Sequence, residues 1–94
     1  MPMITADHIE ASKKAALAAR LKSIEGQARG IGRMLEEDRN CLDIINQLAA
    51  LRGSSQAVAL EALEVFAAQC LREPGSDHEE VLENVLGAIS RLIR

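Results

Sequence analysis

The stretch from Cys41 to Cys70, CLDIINQLAALRGSSQAVALEALEVFAAQC, constrains the fold more than any other, because it opens and closes on the only two cysteines. On an α-helix, at about 100° and 1.5 Å per residue, their separation of 29 positions is almost a whole number of turns. The sulfurs then share one face to within about 20° but stand roughly 43 Å apart. A disulfide needs Cα atoms about 5.5 Å apart, and a shared metal is no more forgiving. Two copies placed antiparallel about a twofold axis would bring Cys41 of one against Cys70 of the other at both ends. The axis would cross near Ser54, Ser55 and Gln56, where the small Gly53, Ser54 and Ser55 permit close approach. Ile45, Leu48, Arg52, Ser55, Ala59, Phe66 and Cys70 all fall within about 40° of Cys41, which favours a single helix. Two other readings stand beside it. Cysteine is often a small buried hydrophobe. Gly53-Ser54-Ser55 can also break the helix, with a serine capping a new one and the cysteines pairing within one subunit.

The rest of the chain reads as helices. An apolar seam at Leu17, Leu21, Ile24, Ala28, Ile31 and Leu35 repeats at alternating steps of 4 and 3, the spacing of a helix packed along its length on others. Asp7, with Glu10 in the capping-box place, is a candidate start for this first helix, as is Ser12; residues 1–10 are expected to be flexible. Glu36-Glu37-Asp38-Arg39-Asn40 is a polar turn, with Asn40 or Asp38 capping a second helix over about 41–72. Pro74-Gly75-Ser76 ends it. Asp77, with Glu80, caps a third helix whose apolar face is Val81, Leu82, Val85, Leu86, Ile89, Leu92 and Ile93. The expected fold is all-α, one domain over residues 1–94, a three-helix protomer with a long middle helix. Apolar residues make up 48%, with one Phe and no Trp or Tyr, which suits helices packed closely on helices. So short a chain has a limited core, and oligomerisation is its natural supplement.

No apolar run approaches the about 20 residues of a membrane span, and the start shows no apolar segment of a secretory signal. Two cysteines without such a signal fit a reducing cytoplasm, where thiols serve metals or redox chemistry. The net charge of −3 argues against a generic nucleic-acid binder, but its distribution is uneven. Residues 13–33 carry Lys13, Lys14, Arg20, Lys22, Arg29 and Arg33 against Glu25, whereas residues 57–94 carry three arginines against seven acids. Such asymmetry supports a nucleic-acid surface. Lys22, Arg29 and Arg33 lie within about 40° of one another and roughly 140° from the apolar seam, so they should face solvent. A solvated helix face is the bland reading of the same stripe. His8 and His78 read as surface residues. The chain has no His-Cys nucleophile pair, no phosphate-cradling glycine loop and no paired catalytic acids, so it is not expected to be an enzyme; a redox or metal-carrying accessory, or a simple interaction module, is the rival class.

The segment RLKSIEGQARGIGRMLEEDRNCLDIINQLAALRGSS, residues 20–55, resembles the CsoR family of small all-helical transcriptional repressors. The matching residues are Arg20, Leu21, Ile24, Gly26, Gln27, Gly30, Ile31, Arg33, Met34, Cys41, Asp43 and Ile44. The resemblance implies a dimer with antiparallel second helices, a tetramer of two dimers, and operator DNA released when a small inducer reacts between subunits. Its DNA candidates here are Arg20, Lys22, Arg29, Arg33 and Arg52. Copper-sensing members resemble a Cys, a His 25 residues on and a Cys four further; this chain has Cys41, Phe66 and Cys70. Phe66 has no lone pair, and the remaining thiol pair looks like the persulfide-sensing, CstR-like branch. There a reactive sulfur species converts one thiolate to a persulfide and the partner subunit's thiol closes a sulfur bridge. Cys41, at a helix N-terminus that favours thiolate, is expected to react first, helped by Arg39, with Cys70 resolving. That reading needs no cofactor or metal. In the alternatives, Cu(I) sits on Cys41 and Cys70, since it favours thiolates, or formaldehyde reacts at Pro2 and Cys41, as in formaldehyde-sensing members. Nickel or cobalt, which want several imidazoles, fit poorly.

Overall fold

A computed structural model describes residues 5–93. Pro2 lies outside them. Three helices, α1 (Ala11–Glu36), α2 (Cys41–Arg72) and α3 (His78–Leu92), follow a single 3-10 turn at Ala6–His8. Of the two starts expected for the first helix, the one near Ser12 is found and the one at Asp7 is not. Asp7 does not cap α1; its carboxylate accepts a hydrogen bond from the Thr5 hydroxyl. The Thr5 amide in turn donates to His8 Nδ1 at 3.2 Å. Ile9 is extended and buried, so α1 begins only at Ala11. Residues 5–10 are thus a defined turn that turns one apolar side chain inward.

The turn between α1 and α2 has a specific chemistry. Asp38 takes φ +56°, a left-handed conformation that Asp tolerates better than most residues. The Asp38 amide donates to the Leu35 carbonyl at 3.2 Å and the Arg39 amide to the Met34 carbonyl at 3.0 Å. That pair of bonds is the Schellman closure of a helix C-terminus, with Asp in the place glycine usually holds. Asn40 then caps α2, its Oδ1 accepting from the Leu42 amide at 2.8 Å and the Asp43 amide at 3.3 Å. Asp77 caps α3 in the same way, through the Glu79 and Glu80 amides.

Gly53-Ser54-Ser55 does not interrupt α2. The Ser54 and Ser55 hydroxyls donate back to the Ala50 and Leu51 carbonyls, at 3.1 and 2.9 Å. With their polar groups satisfied against their own helix, the serines do not compete with it as caps of a new one. α1 and α3 both pack antiparallel on α2: Arg20 meets Glu61, and Gln56 Nε2 donates to the Leu92 carbonyl at 2.9 Å.

The assembly is flat. Its Cα extents are 56 × 28 × 14 Å and its radius of gyration is 17.0 Å, against about 12 Å for a compact chain of this length. A helix with side chains is about 10–12 Å across, so the protomer is close to one helix thick. Among the described residues only Ile9, Ile31, Ile44, Val58, Cys70 and Val81 are buried apolar groups, and no side chain is fully enclosed. The seam of α1 divides accordingly. Leu17, Ile24 and Ile31 are covered, whereas Leu21, Ala28 and Leu35 stay exposed. Within one protomer α1 therefore packs along half of its seam, not all of it. α3 divides likewise: Val81, Val85 and Leu92 turn inward, and Leu82, Leu86 and Ile93 are open to water.

Candidate sensor site and basic surface

Because α2 is unbroken, Cys41 and Cys70 stand roughly 43 Å apart along one helix and cannot meet within a protomer. They also differ in environment: Cys41 is exposed and Cys70 is 7% exposed. The difference comes from α3. On the face that carries both thiols, the half nearer Cys41 is open, with Ile45 and Leu48 at 57% and 48% exposure. In the half nearer Cys70, α3 closes over Cys70 itself through Val81 and Val85, while Phe66 keeps 39% exposure. The face common to both thiols is thus closed at its Cys70 end by the protomer's own third helix and open elsewhere, a division the helical wheel of α2 alone does not contain.

Beside Cys70 lies a cavity of about 150 Å³ lined by Leu63, Phe66, Ala67, Val81, Asn84 and Val85. Phe66 stands one turn before Cys70 and presents a ring where an imidazole would have offered a nitrogen. Among the described residues no cluster of three or more His, Cys, Asp or Glu side chains is placed to hold a metal. Within one protomer the two thiols cannot share a metal. The donor set fits a soft monovalent ion satisfied by two thiolates and does not fit an ion that needs several imidazoles. His8 is tied to Thr5 in the N-terminal turn and His78 opens α3, both exposed.

The basic residues singled out in the sequence sit at four places. Lys22, Arg29 and Arg33 are exposed on α1, as their spacing predicts. Arg29 and Arg33 line an open groove with Gly32 and Glu36; Arg29 is held by Glu25 at 2.9 Å, and Arg33 has no partner among the described residues. Arg20, also on α1, lines a second cleft of about 250 Å³ with Ser23, Ile24 and Gln27 of α1 and Ser54, Ala57 and Val58 of α2. Arg20 Nε lies 2.9 Å from Glu61 Oε2, tying the basic helix to the thiol-bearing one. Arg52 is exposed on α2 and lines neither cleft. Arg39 is 3.9 Å from Glu37, in the turn before Cys41. Glu61 was not among the residues marked by sequence. No signal in the sequence pairs it with Arg20: on a helical wheel it shares the face of Ser54, Ala57 and Val58 with Asp43.

Residues 13–91 match the family described as metal-sensitive transcriptional repressor. The chain belongs to this family, the CsoR family. It is thus a transcriptional repressor and not an enzyme. The copper-sensing transcriptional repressor RicR of Mycobacterium tuberculosis is 37% identical to it, over 97% of this chain and 99% of RicR. The copper-sensing transcriptional repressor CsoR of Bacillus subtilis is 35% identical over 96% and 91% of the two chains. Among solved structures, the copper-sensing repressor CsoR with Cu(I) from Geobacillus thermodenitrificans superposes with a TM-score of 0.77 at 31% identity, covering 98% of this chain and 95% of that one. The nickel-responsive transcriptional regulator InrS gives 0.70 at 31% identity, over 83% and 90%. Three of these relatives are copper-sensing and one is nickel-responsive, so the reactive-sulfur inducer expected from Phe66 finds no support among them. No helix among the described residues is long and apolar enough to cross a membrane.

Proposed function

We propose that this repressor holds operator DNA through the basic residues of α1, with Arg52, and releases it when Cu(I) binds between Cys41 of one protomer and Cys70 of its partner. The observation that carries the reading is the placement of two thiols on one side of an unbroken helix, one exposed and one buried. An antiparallel twofold dimer pairs them at both ends, and pairing two such dimers repeats the basic face and multiplies phosphate contacts. The one-helix-thick protomer and the exposed halves of the α1 and α3 seams support assembly, because a domain normally needs two layers to enclose a core. The copper-sensing relatives support Cu(I), as does the preference of that ion for thiolate sulfur. Without a base-reading motif, recognition rests on phosphates and DNA shape. Such a repressor works in the cytoplasm, beside the DNA it holds.

Phe66 favours a second reading, in which the inducer is inorganic polysulfide. One thiolate attacks a terminal sulfane sulfur; a Cys S–S bond forms and the polysulfide leaves one sulfur shorter. The partner thiolate then attacks the cysteine-bound sulfur of that persulfide, closing an inter-subunit disulfide and expelling hydrosulfide. One experiment separates the two. Reduced protein on labelled operator duplex is exposed anaerobically to Cu(I) or to polysulfide, and intact mass is read alongside DNA release. Release by Cu(I) at one ion per thiol pair, lost in Cys41→Ala and in Cys70→Ala, upholds the first reading. A covalent dimer with release by polysulfide only would replace it. Release by neither, but by formaldehyde, would point to Pro2 and Cys41.

A further inference from the structure

The ion pairs Glu25–Arg29 and Glu37–Arg39 are local in sequence. Arg20–Glu61 is different: it joins the helix that carries the basic face to the helix that carries both thiols. Its geometry is also unusual. Glu61 Oε2 is shielded from solvent and 2.9 Å from Arg20 Nε, yet the N–H is not aimed at it, so the oxygen has no directed hydrogen bond. The contact is made through Nε. The two outer guanidinium nitrogens of Arg20 have no partner among the described residues, and the side chain is 55% exposed. A guanidinium drawn to a carboxylate on its Nε side, by charge and without a directed hydrogen bond, keeps its outer edge free for a second anion, and the planar fork matches a phosphate.

We propose that Glu61 is a positioning residue for DNA: it orients Arg20 so that the outer edge of the guanidinium meets a phosphate, and the register of α2 on α1 thereby sets DNA affinity. The inference rests on the reading that Arg20 contacts DNA. Glu61 lies about 200° around α2 from the thiol face. Occupation of the thiols on one side of this rigid helix is therefore carried to Arg20 on the other as a displacement of its anchor. The competing arrangement, in which Glu61 withholds Arg20 from DNA, predicts the opposite sign.

The test measures binding to a fluorescein-labelled duplex selected by the unmodified protein from a random pool, as a function of salt. Glu61→Gln keeps the shape and removes the charge. Affinity is expected to fall by about 3- to 10-fold, the effect of one partly exposed ion pair repeated over several subunits, with the salt slope unchanged because the phosphate contacts are the same in number. Arg20→Ala is expected to weaken binding and flatten the slope. In the exchange Arg20→Glu with Glu61→Arg the interhelix pair is restored and the melting temperature returns, but DNA affinity does not. A purely structural role would restore both. Unchanged or tighter binding by Glu61→Gln overturns the proposal, as does recovery of affinity in the exchanged protein. If Arg20→Ala leaves affinity and slope intact, the assignment of Arg20 to DNA is what fails.

Discussion

Ile45→Ala tests the assembly of this repressor most directly. Ile45 sits on the open half of the thiol face of α2 and is 57% exposed in the protomer. Removing its three outer carbons costs about 2.4 kcal/mol where the side chain is fully buried, at about 0.8 kcal/mol per methylene. Scaled to the exposed fraction, about 1.4 kcal/mol of that belongs to association. A twofold interface contains the residue twice, so the dimer loses about 2.7 kcal/mol, roughly a 100-fold rise in its dissociation constant. Sedimentation over a range of concentrations measures this, and a melting temperature that rises with protein concentration reports the same linkage. Val58→Ala is the contrast: Val58 is buried between α1 and α2, so its truncation removes about 2 kcal/mol from the protomer itself. If Ile45→Ala sediments and melts as the unmodified protein does, with no concentration dependence in either, the thiol face is not where two copies meet.

Three further outcomes follow from individual side chains. Phe66→His places an imidazole one turn before Cys70 and should tighten Cu(I) by on the order of 10- to 100-fold, the scale on which changes around a metal act, read by competition with a chromogenic chelator; no change would show that Phe66 is remote from the ion. Asn40→Ala removes the acceptor for the Leu42 and Asp43 amides and should cost about 1 kcal/mol in thermal or urea unfolding, whereas Asn40→Asp should be close to neutral. The Thr5 hydroxyl, together with backbone hydrogen bonding, holds the Asp7 carboxyl below the usual carboxylate range. A lowered folded value means that this stabilisation is present above the unfolded pKa and is lost as pH falls through the folded one. Thr5→Ala should move the Asp7 midpoint up toward the ordinary value in an NMR titration.

The helices were readable because local chemistry wrote them. The thiol face keeps its phase across Gly53-Ser54-Ser55, and Asn40 and Asp77 stand where caps must. The C-terminal closure of α1 was hidden because a left-handed Asp38 leaves no mark in sequence that a capping Asp would not also leave. Asp7 and Glu10 matched a capping box, but burial of Ile9 required an extended residue there and the helix started later. The seam of α1 showed that six positions seek cover; it did not show that one protomer covers only Leu17, Ile24 and Ile31 of them. Arg20 was legible as a basic residue and Glu61 as an acidic one. Their meeting is tertiary, set by the antiparallel register of α1 on α2, and no local pattern encodes it.

A layer one helix thick has no enclosed core to complete until a second layer arrives. Where a second copy supplies that layer, most of the burial comes with association, and the final step of refolding should be second order and speed up with chain concentration. A newly made protomer that finds no partner is the species exposed to proteases. Active repressor in the cell would therefore vary more steeply than in proportion to synthesis, giving the gene it controls a threshold that no affinity measured on the assembled protein contains.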